Sequence, residues 1–331
     1  MSEVLILSQK EVAASLPMQR VIDAVRSAYI SFSSGRVQIA PVVHLDVAQY
    51  NGELDIKSGF VEDFNLIGTK IASGYYDNHK LGLPPGVAVI VLMDLRTSMP
   101  VAIIDGTYIT ATRTGAAGAV AASVLAREES SIIGVIGAGT QGRMQVAALN
   151  ELFSLTEVRI WDKFEDSAKG YAAEMSEKFG IGVIQDSNPM NVVRGADIIV
   201  TATPSREAIV KNDWIHEGVH INAIGADGEG KQELDPYIIK RADKVVVDSL
   251  SQCRRIGEIQ HALRMNLIGE HEIYAEIGQI LNGEKLGRES NEEITLFDST
   301  GIAALDIAAA NIAVQQAKEK GIGKTLKLLD M

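Results

Sequence analysis

Between Ser131 and Phe153 an apolar run, SIIGVIG, passes through the glycine-rich hexamer 137-GAGTQG-142 into a helix-forming stretch, GTQGRMQVAALNELF. A buried strand that turns tightly into a helix opens a parallel sheet with crossover helices, and few other folds accept it. The alternation continues. EVRIWD reads as a strand, 165–178 as a helix, and IGVIQD, ADIIVTAT, VHINAIG and KVVVDS as further strands. This predicts a doubly wound, Rossmann-type α/β domain.

Each glycine of the hexamer has a task. Gly137 allows the tight turn, Gly139 lets the backbone approach a pyrophosphate, and Gly142 lets the helix pack on the strand. Thr140 and Gln141 lie at the helix start, where unpaired N–H groups and partial positive charge favour phosphates. Asp162 ends the next strand, at the spacing where an acid bonds the adenosine ribose hydroxyls. It would repel the extra phosphate of NADP, which favours NAD; Lys163 beside it weakens that preference and leaves NADP open. S-adenosylmethionine enzymes also use glycine-rich turns followed by an acid, but GxGxxG favours a dinucleotide.

The flanks have another character. Residues 1–35 read as a short strand, Val4 to Leu7, and one helix. Ser8 is its N-cap, Glu11 its capping-box partner, Val21, Ile22, Val25, Ala28, Tyr29 and Phe32 its apolar stripe, and Gly35 its end. From 36 to 110 the pieces VVHLDV, ELDIKSGF, LIGTKIASGYY, GVAVIVLMDL and MPVAIID are β-rich, with a turn at 94-DLRTSMP-100, and predict a mostly antiparallel sheet. An Ala-rich helix follows at 107–127, and a last one at 303–319. The economical layout is discontinuous. Residues 1–118 plus 302–331 form an α+β domain for substrate and dimerisation, and the nucleotide-binding domain, 119–301, is inserted in it.

Composition narrows the class. The 331 residues carry a formal charge of −12 with only 5% aromatics, which argues against nucleic acid as a partner. Cys253 is the only cysteine, so neither an intrachain disulfide nor a cysteine-based zinc site is available. The start, MSEVLILSQK, lacks a basic leader, and the longest apolar runs fall far short of the ~20 residues that cross a bilayer. The expectation is a soluble, cytoplasmic protein. The segment 216-HEGVH-220 matches a zinc-peptidase motif that works only on a helix. Gly218 and the strand-like VHINAIG argue for a turn instead, and in a strand the two histidines would lie about 13 Å apart. His44, His79, His261 and His271 have no ligand spacing, so no metal is expected.

Five segments carry a resemblance: 110-TATRTGAAGAVAA-122, 137-GAGTQG-142, 201-TATPSRE-207, 221-INAIGADGEGKQEL-234 and 294-ITLFDSTG-301. With them the chain resembles the ornithine cyclodeaminase/μ-crystallin family over nearly its whole length, and within it the archaeal-type alanine dehydrogenases. The resemblance implies a homodimer and a tightly held NAD(H) or NADP(H). It implies that Lys70, in 68-GTKIASG-74, grips the substrate carboxylate and that Asp227 is the acid/base. It puts Arg113 and Thr114 at the cofactor phosphates, with Arg113 also in the substrate set, and Thr203, Gly225 and Lys231 on the cofactor side. Ser299 and Thr300 belong to the segment that closes over nicotinamide and substrate.

These roles are chemically coherent. An amino-acid carboxylate needs a cation, and a nitrogen that gains or loses protons needs a base. Desolvation of Asp227 would raise its pKa toward the working range. Three departures stand out. Many members carry an arginine where this chain has Val42 or Val43, many read Met-Pro where it has 57-KSGF-60, and the loop GLPT is here 82-GLPP-85. Pro85 lacks a hydroxyl and so one cofactor contact. Lys57 is expected to replace the missing arginine, a variant also resembling reductases of a dicarboxylic imine such as iminosuccinate. The expected function is an NAD(P)-dependent oxidoreductase on a small α-amino or α-imino acid. A cyclodeaminase that recycles its NAD and a non-catalytic NADPH or ligand binder are the alternatives.

Overall fold

The computed structural model describes residues 3–328. The chain divides into two compact units: the residues up to Arg113 together with those from Ile302 onward, and Thr114–Gly301.

In the first unit an eight-stranded sheet runs Lys324–Lys327, Glu3–Leu7, Pro100–Asp105, Gly86–Asp94, Leu66–Tyr75, Gly52–Val61, Val37–Ile39, with Val43–Val47 also paired to Gly52–Val61. It is antiparallel except where Glu3–Leu7 runs parallel to Pro100–Asp105. The period of two sorts its side chains. Gly68 and Lys70 are buried where Ile71 is exposed, and Ala88, Ile90 and Leu92 are buried where Val87 and Val89 are exposed. The buried face is covered by the helix Ala303–Lys320, which also packs on Met18–Ser33. A side chain at Gly68 would run into Ile307 of that helix. Strands and helices from both ends of the chain thus share one core.

The one helix expected near the N-terminus is two, Gln9–Ala14 and Met18–Ser33. Pro17 separates them: it has no N–H to give to a continuing helix, and instead stands as the N-cap of the second. Val21, Ile22, Val25, Ala28 and Tyr29 are buried as the spacing predicts, with Phe32 partly so. Glu11 accepts both the Ser8 N–H (2.8 Å) and the Ser8 hydroxyl (2.6 Å).

In the second unit the strands run parallel in the order Gly182–Gln185, Glu157–Trp161, Ile132–Ile136, Ile198–Thr201, His220–Ala223, Thr295–Asp298, Lys244–Val247, Ala275–Glu276. The order reverses between Ile132–Ile136 and Ile198–Thr201, and ligands of such sheets bind at the carboxyl ends of the strands flanking that point. Its buried apolar core includes Ile136, Ile199, Val210, Ile221, Val247 and Leu296. Thr295–Asp298, within a segment noted above only for its motif, is an interior strand with all four residues buried. Among the described residues no helix is long and apolar enough to cross a membrane.

Candidate active site

Lys57 and Lys70 stand directly opposite each other in the ladder between Gly52–Val61 and Leu66–Tyr75, so both side chains leave the same face of the sheet. Like charges placed this way repel unless an anion joins them. Asp306, on the helix Ala303–Lys320, supplies one. Lys70 Nζ lies 3.0 Å from Asp306 Oδ1 and 2.9 Å from Oδ2, and 3.2 Å from Thr110 Oγ1. Arg113 Nε donates to Asp306 Oδ1 at 2.8 Å. The Lys70 and Asp306 side chains are only 4% and 2% exposed, so this charge cluster is almost dry.

That dryness sets the titration. Burial pushes Lys70 down to about 7; Asp306 opposes the fall, while the charges of Arg113 and Lys57 deepen it. Burial works to raise Asp306, but the charges of Arg113 and Lys70, a hydrogen bond from Lys70 and the field of Lys57 hold it below its ordinary range. Two buried cations share one carboxylate while a third adds its field. Such a cluster is complementary to a further anion, and a carboxylate fits it.

In the second unit the glycine-rich turn fits a dinucleotide on three observations. Gly137 has φ +113°, and a Cβ there would meet the Ala202 oxygen at 2.6 Å and Thr203 Cγ2 at 2.9 Å. A Cβ on Gly142 would strike the Gly137 oxygen, whereas one on Gly139 would project into open space, the space a pyrophosphate requires. Gln141 Oε1 is buried with no hydrogen-bond partner and is free to accept one from a ligand. Thr140 is exposed at the helix start. Asp162 is tied to the turn: Oδ2 accepts the Ala138 N–H and Oδ1 the Phe164 N–H, both at 2.8 Å, leaving lone pairs for ribose hydroxyls. Lys163 beside it is exposed.

The loops after the next strands hold the remaining predicted residues. Thr203 follows Ile198–Thr201, and Gly225, Asp227 and Lys231 follow His220–Ala223. The Asp227 side chain is 51% exposed, and its Oδ1 lies 2.6 Å from Lys231 Nζ. Lys231 serves Asp227 here. Ser299 and Thr300 are buried, and their hydroxyls sit on the two oxygens of Asp248 at 3.0 and 3.2 Å; the Gly301 N–H joins them at 2.6 Å. Thr114 is buried, its carbonyl accepting from Gln145 Nε2 at 2.8 Å.

The structure therefore brings together Lys57, Lys70 and Arg113 in one unit, and the hexamer with Asp162 and Thr203 in the other. Sequence reading missed Asp306, Thr110, Asp248 and Glu233. Asp306 had a visible signal, an acid inside the otherwise apolar AALDIAAA; Glu233 and Thr110 lay within quoted motif segments that assign them no role, and Asp248 lacked a signal. The 216-HEGVH-220 segment is turn and strand, as expected. His220 is buried with Nδ1 2.9 Å from Thr295 Oγ1 and Nε2 3.0 Å from Asn222 Oδ1, and burial lowers it to about 3, so it stays neutral.

A doubly wound sheet with a dinucleotide turn, joined to a discontinuous unit with a buried cation cluster, defines a class of nucleotide-dependent proteins. Comparison narrows it. The ornithine cyclodeaminase/mu-crystallin family pattern matches residues 2–321, and the chain belongs to that family. It is similar to an archaeal alanine dehydrogenase dimer solved with bound NAD (41% identity, TM-score 0.94, covering 99% of this chain and 100% of the other). It is also similar to the Thermococcus litoralis Delta(1)-pyrroline-2-carboxylate reductase in complex with NADH and L-proline (37%, 0.94, covering 98% and 100%). A third likeness is the iminosuccinate reductase of Paracoccus denitrificans in complex with NAD+ (29%, 0.93, covering 99% and 100%).

Removing the Asp306 charge leaves the Arg113 guanidinium buried without a carboxylate and Lys70 without the partner that holds its proton. Asp306→Asn is expected to destabilise the fold by about 3–5 kcal/mol, and adding Lys70→Met to recover part of the loss. Thermal or urea melts of the two variants check this; an unchanged midpoint for Asp306→Asn would contradict it.

Proposed function

We propose that this NAD-dependent oxidoreductase reduces a small α-imino acid to the α-amino acid, with the reverse oxidation available, and that a dicarboxylic imine such as iminosuccinate ranks above the imine of pyruvate. The observation that carries the reading is the pairing of Lys57 with Lys70 across the ladder, beside Arg113 and Asp306. Lys70 and Arg113 take the α-carboxylate. Lys57 extends the cationic face toward a second carboxylate and does the work of the arginine missing near Val42 and Val43.

When bound, NADH supplies a hydride to the imine carbon, and NAD+ accepts it in reverse. A protonated imine that gains a hydride becomes a neutral amine, and one further proton makes it the ammonium form. The acid form of Asp227 gives that proton and its carboxylate takes one back in the reverse direction, and Lys231 orients the carboxylate. Gly137, Gly139, Thr140, Gln141 and Gly142 cradle the pyrophosphate, Asp162 takes the adenosine ribose, and Lys163 lies beside it. Thr114, Thr203, Gly225 and Ser299 line the rest of the cofactor, with Arg113 close to its phosphates.

The working form is a homodimer. Val43, Ile56, Ile71 and Val89 form a row across four strands, and Leu45, Leu54, Ser73 and Val87 a second row on the same face. Val43, Leu45, Ile71, Val87 and Val89 are 41–52% exposed, an apolar sheet face that a second copy would cover. Light scattering is expected to give twice the chain mass, and Val89→Lys with Ile71→Lys to give a monomer; a monomeric wild type would refute this.

NADH consumption with ammonium and either oxaloacetate or pyruvate tests the reaction. Net loss of NADH is expected, with oxaloacetate preferred. Lys57→Met should raise its KM roughly 10–100-fold and change that for pyruvate far less. Constant NADH with ammonia released from ornithine would instead mark a cyclodeaminase.

A further inference from the structure

Glu233 lies on the short strand Gln232–Leu234 and is completely buried. Its Oε1 accepts the Thr203 N–H at 2.6 Å and the Thr203 hydroxyl at 2.7 Å, and its Oε2 accepts the Gly225 N–H at 2.9 Å. One carboxylate thus joins the loop after Ile198–Thr201 to the loop after His220–Ala223. Thr203 in turn presses on the dinucleotide turn, since a Cβ on Gly137 would meet Thr203 Cγ2 at 2.9 Å. At the other end Gly225 has no room for a Cβ, which would strike Glu233 Oε2 and the Thr203 backbone. Gly137, Thr203, Glu233 and Gly225 form one contiguous path across the carboxyl edge of the parallel sheet.

We propose that Glu233 is a positioning residue for the cofactor: its ionised carboxylate holds the loop that bears Thr203 and the loop that bears Gly225 in the shape that accepts NAD(H). The inference rests on the oxidoreductase reading above and adds a residue that touches neither cofactor nor substrate. All three bonds run from protein donors to Glu233, so an ionised group satisfies them and a protonated one displaces a donor. Burial pushes Glu233 up to about 7, against the hydroxyls of Thr203 and Thr201 and the N–H groups of Thr203 and Gly225. The nearby acids are Glu258, which accepts the N–H groups of Glu233 and Leu234, and beyond it Asp298. Burial raises Glu258 well above its ordinary range, with the charge of Glu233 adding to the rise, and pushes Asp298 up to about 8. The form that shapes the site is present above about pH 7 and is lost as the pH falls through it.

The test is the Kd for NADH, read by its fluorescence between pH 6 and 8.5, for the wild type, Glu233→Gln and Thr203→Val. The wild type should bind several-fold more weakly at pH 6 than at pH 8. Glu233→Gln should weaken binding on the order of tenfold at pH 8 and abolish the pH dependence, because an amide cannot satisfy three donors. Thr203→Val, which keeps the shape and deletes one donor, should weaken it a few-fold, and it carries the test alone if Glu233→Gln does not fold. Variants with wild-type Kd and an unmoved pH profile would overturn the inference while leaving the oxidoreductase reading intact. A wild type that does not bind NADH would overturn both.

Discussion

Asp306, Lys70 and Arg113 come from three elements far apart in the chain and meet where almost no water reaches them. Each charge is tolerable there only because of the others: isolating one would cost several kcal/mol. The contact fixes the C-terminal helix against the sheet and against the first half of the helix Thr107–Leu125, and so ties the two ends of the chain into one unit. It also leaves the sheet face more positive than its own carboxylate can neutralise. The charge balance of this core therefore rests on three side chains, and the field of Lys57 favours the charged form of Asp306 while opposing that of Lys70.

Carboxylates do the complementary work at the edge of the parallel sheet. Asp248 gathers Ser299, Thr300 and Gly301, Glu258 gathers the N–H groups of Glu233 and Leu234, and Asp162 gathers Ala138 and Phe164. Asp248 and Asp162 each follow directly on the carboxyl end of a strand, and Glu258 caps the helix Ile259–Arg264. Parallel strands leave their connecting segments without a ladder of their own, and carboxylates with several donors give those segments a fixed shape.

Most of the fold was legible because periodicity and punctuation report local structure. The strand–turn–helix at Gly137 announced the parallel sheet, and the alternation in Leu66–Tyr75 and Gly86–Asp94 announced the antiparallel one. The helix break at Pro17 was legible too, since a proline at that place cannot continue a helix, yet the apolar stripe on its C-terminal side dominated the reading. Lys70 stood out as a charge in an apolar strand. Its partner Asp306 is 236 residues away, and no local pattern encodes such a pairing. The ion pair of Asp227 with Lys231 is likewise invisible to a motif, which gives the identity of both residues and not their contact.

The central claim is that a substrate carboxylate binds at Lys70, and proton counting tests it most directly. Burial pushes Lys70 down to about 7 in the free protein, and a bound carboxylate favours its charged form. Calorimetry of L-aspartate binding in the presence of NADH, in buffers of different ionisation enthalpy, should show net proton uptake at pH 8. Uptake should fall toward zero at pH 6 and vanish in Lys70→Met. Proton uptake that is the same at both pH values, or that survives in Lys70→Met, would contradict the account.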